Sequence, residues 1–597
     1  MEAKIRAVED DAICRREDVI NLYNLLLRRD PENESVITPR LRHTVWDIFA
    51  EIVRSSEFHA TVLQPLASGT FVPAVYRGSG RLDDLVDWAT RRLPMSTETR
   101  ERLDTADSWT DVYVSLAQEP ALVRLVPKLQ ETQIRVEIER KWRTREAGLN
   151  IDNLLVSPSG YVYLSGWLKS AAEFDPITEI SFYRNAEPIG STSNVARCRP
   201  IEAEQGRLTP GASVTGFWTI FPLNRSMEIG EGLEVVVTAG QERRCAVRAV
   251  GVANPPLRDT VLDRFADSAY RNDATAEAFF ELDNGNGQAI IDLNCEIVTR
   301  IVEGAYQMQF GARRTSYEGT IIVCLYGKPE FLTLQAALFS QYQGYDRYEF
   351  VYVSNSPELA DKLVNDAAIA SVIYGVAIKL ILLPGNAGFA AANNAAAAAA
   401  GTRRLLFVNP DALPRDPQWV QRLGELLRSL PSEQTKLFGV SLYYDDESLM
   451  HGGMYIDVDG GFVIRDGKMT RRDILRIEHY GKGLSAQGGT YQGSRPVPAV
   501  TGALLAVDRA WFEKLSGFSQ NYIFGHYEDV DFCLRSLQAG QPAWMHDLPF
   551  WHLESKGSTA ARAQLGARVV NRWLLTSSWA EFVKEGLSGQ RPSRLFR

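Results

Sequence analysis

The chain has 597 residues, 45% of them hydrophobic and 23% charged, the balance of a soluble globular protein, and at about 150 residues per domain it holds roughly four domains. Its formal net charge of -9 supplies no basic footprint for a phosphate backbone, so nucleic acid is not expected as a partner. Six cysteines, Cys14, Cys198, Cys245, Cys295, Cys324 and Cys533, have no paired spacing of the zinc or redox type, which predicts reduced thiols in a cytoplasmic protein and excludes a cysteine-held metal.

The N-terminus is charged from Glu2 onward and offers no apolar signal core. Residues 1–140 read as an α-helical domain of two related helical units. "DVINLYNLLLRRDPENES", from Asp18, returns loosely as "DLVDWATRRLPMSTET", from Asp84, and "TVWDIFAEIVRSSEF", from Thr44, as "SWTDVYVSLAQEP", from Ser108. Apolar residues three and four apart in these stretches predict amphipathic helices. The first copy, with Tyr23, Leu27, Arg29, Pro31, Ser55, Glu57 and Phe58, resembles short helical modules that accompany bacterial surface and polysaccharide proteins.

Residues 151–252 change texture to short alternating runs, "YVYLSGWL", "EISFYRN", "VTGFWTIFPL" and "LEVVVTAG", separated by Gly, Pro and Asn. That pattern predicts an antiparallel β-sandwich, suited to positioning a carbohydrate or acceptor. Trp167 and Trp218 are either core aromatics of the sandwich or platforms for sugar stacking. Residues 253–316 read as a helical connecting region.

Residues 317–560 alternate apolar strands with helices: "GTIIVCLYG", "FLTLQAALFSQ", "YEFVYVSN", "ELADKLVNDAAIA", "IKLILLPG", an alanine helix after Asn393, and "RRLLFVNPDALP". Such alternation makes βαβ units and a mainly parallel, Rossmann-like sheet, which takes ligands at the carboxyl ends of its strands. The most apolar window, residues 367–383, is broken by Lys379 and stopped by Pro384, so it reads as a helix end and a buried strand, not a membrane span. Residues 561–597 read as a helix and basic tail. Its Trp573, Leu574, Leu575, Trp579 and Phe582, with Arg572, Lys584, Arg591, Arg594 and Arg597, either lie on an anionic membrane as a peripheral contact or dock on the preceding domain.

Asp411 follows the strand "LLFV" at the ligand edge, where a carboxylate holds a divalent cation shared with phosphate oxygens or simply forms a turn. "PGNAGFAAANN" brings Gly385 and Gly388 for close backbone approach and the amides of Asn386, Asn393 and Asn394 to the same edge. The run 500–507 reads as a strand carrying Thr501 and Gly502. "FGHYEDVDFCLR", 524–535, crowds Glu528, Asp529 and Asp531 into a first helical turn that ends at Gly540. Carboxylates there favour the helix dipole, and Asp531 with Arg535, four apart, makes a surface pair.

In order along about 240 residues, "NAGFAAANN", "FVNPDALP", "TGALLAVDRAWFEKLSGF", "HYEDVDFCLR" and "WHLESKGS" resemble the family 2 inverting glycosyltransferases of the GT-A fold, in particular their rhamnosyl- and galactofuranosyl-transferase-like branch. The resemblance implies a nucleoside-diphosphate-sugar donor, a glycan or lipid-linked glycan acceptor in bacterial surface polysaccharide synthesis, and Mg²⁺ or Mn²⁺ as cofactor. It implies Asp529 as general base with Glu528 as its support, and a metal on Asp411 and His552. Donor contacts are implied for Tyr326, Ser354, Asn355, Asn386, Gly388, Asn394, Asn409, Asp411, Thr501 and Gly502. Acceptor or supporting roles fall to His526, Asp531, Arg535, Lys556 and Ser558. Asn409 stands where two-acid relatives carry a carboxylate, Ser354 where they carry an Asp, and Ser519 with Gln520 replaces an Asp-Glu pair. These departures favour an alternative reading, a catalytically weak GT-A domain serving as a carbohydrate-binding or scaffold protein. A nucleotidyltransferase is a third reading, with no account of the Glu-Asp helix start.

Overall fold

The computed structural model of the chain describes residues 13–63, 80–93, 95–104, 106, 109–117, 119, 149–169, 177–184, 187–198, 214–223, 227, 232–240, 242–252, 256–465, 468–485, 491, 493–553, 561–588 and 595. Two compact units result, one of Met1–Val156, Ile180–Ser191 and Arg225–Asn254, the other of Ser157–Glu179, Thr192–Asn224 and Pro255–Arg597. No described helix is long and apolar enough to cross a membrane, and no disulfide joins the cysteines.

In the first unit, helices Arg16–Leu27, Val45–Val53, Leu82–Arg92 and Trp109–Ala117 turn apolar faces inward around Leu22, Leu26, Phe49, Ile52, Leu85 and Val112. Both sequence-matched pairs of segments are thus helical. Thr44 opens its helix by accepting from the Asp47 N–H at 3.1 Å while the Asp47 carboxylate accepts from the Thr44 N–H at 3.2 Å, a reciprocal cap. Arg29 forks onto Glu57 at 2.6 and 2.8 Å and lies over the Tyr23 ring, so the residues that mark the module interlock by packing. Strands Gly232–Ala239 and Glu242–Ala249 form an antiparallel hairpin in the same unit.

In the second unit, Tyr161–Lys169 pairs antiparallel with Val214–Pro222, which also pairs with Ala196–Cys198. The strands of residues 151–252 therefore fall into both units. Trp218 is fully buried, edge-on to Phe265, and donates its indole N–H to Glu281 at 2.6 Å; it is a core aromatic, with no face left for a sugar. Helices Leu257–Asp263, Asn272–Asp283 and Asn286–Glu303 follow, and then a strand, Tyr306–Phe310, that joins the large sheet antiparallel to Ile378–Leu382.

The large sheet has eleven strands. Its first block runs Ile378–Leu382, Tyr348–Ser354, Gly319–Leu325, Arg404–Val408, all parallel, an order that leaves a crevice where the second laid strand and the fourth diverge from the first. Beyond it the sheet is mixed, not mainly parallel. Leu504–Asp508 runs antiparallel beside Arg404–Val408, Leu437–Tyr443 antiparallel beside Leu504–Asp508, and Ala543–His552 parallel to Leu437–Tyr443. The reversal has a physical cause: a βαβ crossover returns the chain in the same direction, whereas Leu504–Asp508 follows Leu437–Tyr443 through the long hairpin with no crossover helix between them. Alternate residues feed two cores, with Ile322, Val351 and Val353 packing under the alanine-rich helix Gly388–Ala399 and Ile321, Val323 and Phe350 on the opposite face.

Lys379, the one charge in the apolar window, pairs with buried Glu349 at 2.9 Å. Glu349 also accepts from Arg313 at 2.9 Å, Thr320 at 3.0 Å and the Gly401 N–H at 3.0 Å, so both buried charges are compensated.

Two further elements frame the site. A hairpin of twelve-residue strands, Met454–Arg465 and Lys468–His479, rises from the sheet. Helix Arg562–Ser588 lies against it, and both backbone groups of Leu475 bond to the helix: its N–H donates to Thr576 at 3.1 Å and its carbonyl accepts from Arg572 at 2.9 Å. Trp573, Leu575 and Trp579 are buried, with the two indoles donating to Asp283 and Asp531 at 2.9 Å each. The aromatic face expected to meet either a membrane or the protein meets the protein.

Candidate functional site

A cavity of about 480 Å³ opens at the carboxyl ends of Gly319–Leu325 and Arg404–Val408. Eleven of the residues singled out in the sequence line it: Tyr326, Asn355, Asn386, Asn409, Asp411, Thr501, Gly502, His526, Glu528, Asp529 and His552.

The sheet register assembles the first wall. Val408 pairs with Leu504, so the end of one strand meets the beginning of its antiparallel neighbour, and Asn409 N–H donates to the Ala503 carbonyl at 2.9 Å. Thr501 and Gly502 were expected within a strand; they sit in the turn before it, where their amides serve side chains instead of a ladder. Ala412 pairs with His552, which places the imidazole Nε2 3.3 Å from the Asp411 carboxylate, both side chains buried. Fully buried Gln335 donates to the carbonyls of Asn409 at 3.2 Å and Pro410 at 2.9 Å and so fixes the "NPD" loop.

The second wall is the start of helix Glu528–Gln538. Asp529 accepts from the Gly502 N–H at 2.7 Å and from the Val530 N–H at 2.8 Å. Burial raises its pKa, and those amide bonds, with Thr501, pull the other way without cancelling the rise. Glu528 is more deeply buried, one of its carboxyl oxygens has no hydrogen-bond partner, and burial together with the charges of Asp529 and Asp531 raises its pKa well above the ordinary range. Of the two, Glu528 is the more strongly disposed to hold a proton, and Asp529 is the one with amides pointed at its charge. Asp531 faces away from the cavity, bonded to Arg535 at 2.8 Å and Trp579 at 2.9 Å.

The approach to that helix is held in an unfavourable backbone. Phe524, His526 and Tyr527 all have positive φ, at 61°, 79° and 76°. Each costs about 1 kcal/mol or more for an L-residue and persists only where surroundings impose it. They are imposed from two sides. Phe389 N–H donates to the Phe524 carbonyl at 2.6 Å, next to Gly388, whose φ of 79° and lack of Cβ let the two backbones meet. From the other side, fully buried Asn571 on helix Arg562–Ser588 binds Ile523, Gly525 and His526.

A histidine pair forms the floor beside Thr501. The Thr501 N–H donates to His451 Nε2 at 3.4 Å, which leaves the proton of His451 on Nδ1, 2.9 Å from Nδ1 of His479. Burial, with His479, His552 and Arg495 close by, keeps His451 neutral. His479 lines the cavity from the end of the long hairpin.

Some expected contacts lie elsewhere. Ser354 is buried and accepts from the Ser356 N–H at 3.2 Å, closing a turn. Asn394 bonds both ways to the Phe518 backbone, at 2.8 and 3.0 Å, and Arg535 donates to the carbonyls of Leu515 and Gly517; these residues build the support under the site. Gly388 shapes the wall without lining it. Asn355 lines the cavity but spends its amide on the Gly388 carbonyl at 3.1 Å and the Ala387 N–H at 3.0 Å. Lys556 and Ser558 lie outside the described residues.

Gln335, His451, His479, Arg568 and Asn571 belong to the site or its support and carry no pattern that sequence reasoning seized. "NRW" and "HGG" are short, and their meaning depends on strand pairings that periodicity does not give.

For a divalent cation the fit is partial. Asp411 and His552 offer a carboxylate and an imidazole in contact, His552 Nδ1 is buried with no hydrogen-bond partner, and the described residues contain no group of three or more His, Cys, Asp or Glu able to hold a metal. A hard cation bound by few protein ligands draws the rest from substrate phosphates and water.

No family model matches the sequence. The chain is 26% identical over 212 residues to a protein of Sinorhizobium fredii (strain NBRC 101917 / NGR234) described as uncharacterized protein y4gI, a match covering 35% of this chain and 22% of that protein. Among solved structures it is similar to GalNAc-T7 with UDP, GalNAc and Mn²⁺, at 13% identity and a TM-score of 0.32 over 47% of this chain and 51% of the other. It is also similar to the mannosyltransferase PcManGT from Pyrobaculum calidifontis with GDP-Man and Mn²⁺, at 15% identity and a TM-score of 0.27 over 54% and 89%. A third similarity is to S. aureus TarS, at 12% identity and a TM-score of 0.28 over 46% and 42%.

Proposed function

We propose that the protein is an inverting glycosyltransferase that moves one sugar from a nucleoside diphosphate to a hydroxyl of a glycan or lipid-linked glycan, in surface polysaccharide synthesis. The observation that carries this reading is that one cavity at the carboxyl ends of parallel strands is lined by Asp529, held by two backbone amides, by Glu528 beside it and by the Asp411–His552 pair in another wall.

The chemistry follows from that arrangement. The acceptor oxygen attacks the anomeric carbon as the bond to the diphosphate breaks, and Asp529 takes the hydroxyl proton. Its amide bonds to Gly502 and Val530 fix the carboxylate's direction while leaving lone pairs on both oxygens for that proton. One displacement inverts the anomeric centre and needs no covalent enzyme intermediate. Asp411 and His552, with Asn409 alongside, would hold a divalent cation that supplies positive charge to the leaving diphosphate.

The test is a donor panel: UDP-, dTDP- and GDP-sugars with Mg²⁺ or Mn²⁺ and candidate glycan acceptors, reading released nucleoside diphosphate. Release from one donor is expected, abolished by EDTA and reduced at least about 100-fold in Asp529→Asn while donor binding persists. Donor binding without turnover across the panel would instead favour a carbohydrate-binding or scaffold role; no donor binding at all would sink the reading.

A further inference from the structure

Among the described residues lining the cavity, Arg568 is the only lysine or arginine. It projects from helix Arg562–Ser588, with Gln564 one turn earlier on the same face and also lining the cavity. Its neighbours on that helix are engaged: Arg562 pairs with Asp263 and Asp267, and Arg572 donates to the Leu475 carbonyl. Arg568 makes no hydrogen bond or ion pair among the described residues, and its Nε is buried without an acceptor. Three carboxylates line the same cavity, yet Asp411 is turned to His552, Asp529 to backbone amides, and none of the three is ion-paired with Arg568. A half-buried guanidinium at a cavity wall, with its Nε buried and given no acceptor, is prepared for an anion brought by a ligand, and its planar fork suits phosphoryl oxygens.

Charge balance identifies the anion. The diphosphate of a sugar nucleotide carries two negative charges, while a divalent cation on Asp411 brings a net single positive charge. A further positive charge is needed to offset the rest of the diphosphate's charge, and Arg568 is the lysine or arginine among the described residues of the cavity that can give it. The helix is held in place for this, because Asn571, three residues on, is bonded to the loop that leads into Glu528.

We propose that Arg568, assisted by Gln564, binds the diphosphate of the nucleoside-diphosphate donor and balances its charge as the sugar leaves. This rests on the glycosyltransferase reading.

The test measures, by calorimetry with Mn²⁺ on the full chain, binding of UDP, GDP and dTDP and of the matching nucleosides. For the nucleoside diphosphate that wild type binds, Arg568→Gln should raise Kd at least tenfold and leave the nucleoside within twofold; Arg568→Lys should recover part of the loss, and Gln564→Ala should cost a few-fold. Unchanged diphosphate affinity overturns the proposal, as does equal weakening of nucleoside and nucleoside diphosphate, which would mark a structural role. Loss confined to flotation with vesicles bearing a polyprenyl diphosphate would assign the arginine to the acceptor and overturn its donor role. If Arg568→Gln fails to fold, unchanged affinity in Arg568→Lys overturns it equally, and a loss of diphosphate affinity in Arg568→Lys, with the nucleoside unaffected, supports it. Wild type that binds no nucleoside diphosphate overturns the glycosyltransferase reading itself.

Discussion

Asn571 pairs with the backbone of Ile523 as a neighbouring strand would: the Ile523 N–H donates to its Oδ1 at 2.8 Å and its Nδ2 donates to the Ile523 carbonyl at 3.0 Å. The same amide nitrogen reaches the Gly525 carbonyl at 2.8 Å. One side chain thus satisfies the backbone of a loop whose next residues have positive φ and lead directly into Glu528 and Asp529. Asn571→Ala is expected to lower stability by about 2–4 kcal/mol, since several buried backbone groups lose their partner. It should also reduce kcat at least tenfold with a smaller change in donor KM. Asn571→Asp keeps the acceptor but turns a buried carboxylate oxygen toward three carbonyls, so it should cost at least as much as Asn571→Ala; calorimetric unfolding beside steady-state kinetics decides.

Gly388→Ala tests the other side of the same loop. A Cβ there would stand 2.9 Å from Phe524 Cα and 3.0 Å from its backbone N and O, at a φ of 79°. Neither backbone is free to give way, so a stability loss beyond about 1 kcal/mol is expected, together with reduced turnover. A variant as stable and active as wild type would show that the close approach does not matter.

The carboxylate pair makes a pH prediction. A base works only when ionised, and burial raises the pKa of Asp529, so the acid limb of kcat/KM should lie higher than for an ordinary aspartate, with activity rising as pH increases through it. Glu528 should still carry its proton at neutral pH, so Glu528→Gln, a neutral isostere, should keep activity within about tenfold of wild type. A loss of 100-fold or more in Glu528→Gln at neutral pH would instead mean that Glu528 works ionised.

Glu349 and Lys379 make a stability prediction. Burial alone would raise the pKa of Glu349, but Lys379, the Gly401 amide and Thr320 outweigh it and the value is lowered. A lowered folded-state pKa contributes stability above the unfolded value of about 4.3, and that contribution disappears as pH falls through the folded value. Lys379→Met should therefore cost about 3 kcal/mol at pH 7 and flatten the acid dependence below about pH 4, as read by thermal unfolding at several pH values.

How far the sequence carried depends on the kind of information each feature needs. The parallel block was legible because four apolar strands alternate with helices, and Glu528–Gln538 because its carboxylates and apolar face mark a helix start. Lys379 was legible as an interruption, though its partner Glu349 was not, since that pairing depends on which strands lie side by side. The antiparallel insertion of Leu504–Asp508 was hidden for the same reason: a strand five residues long carries no mark of its direction. Asn394 and Ser354 share the chemistry of donor ligands, and only their bonds to Phe518 and Ser356 reveal supporting roles. Arg568 and Asn571 lie in a helix that reads as amphipathic tail, and nothing local tells that it borders the cavity.

That helix also sets a schedule. The strands and the Glu528–Gln538 helix leave the ribosome before residues 562–588 do, and the loop before Glu528 is anchored by Asn571 of that later segment. During synthesis the chain can therefore lay down its sheet while the reactive carboxylates remain unarranged, and competence would arrive late, in one step, when Asn571 docks.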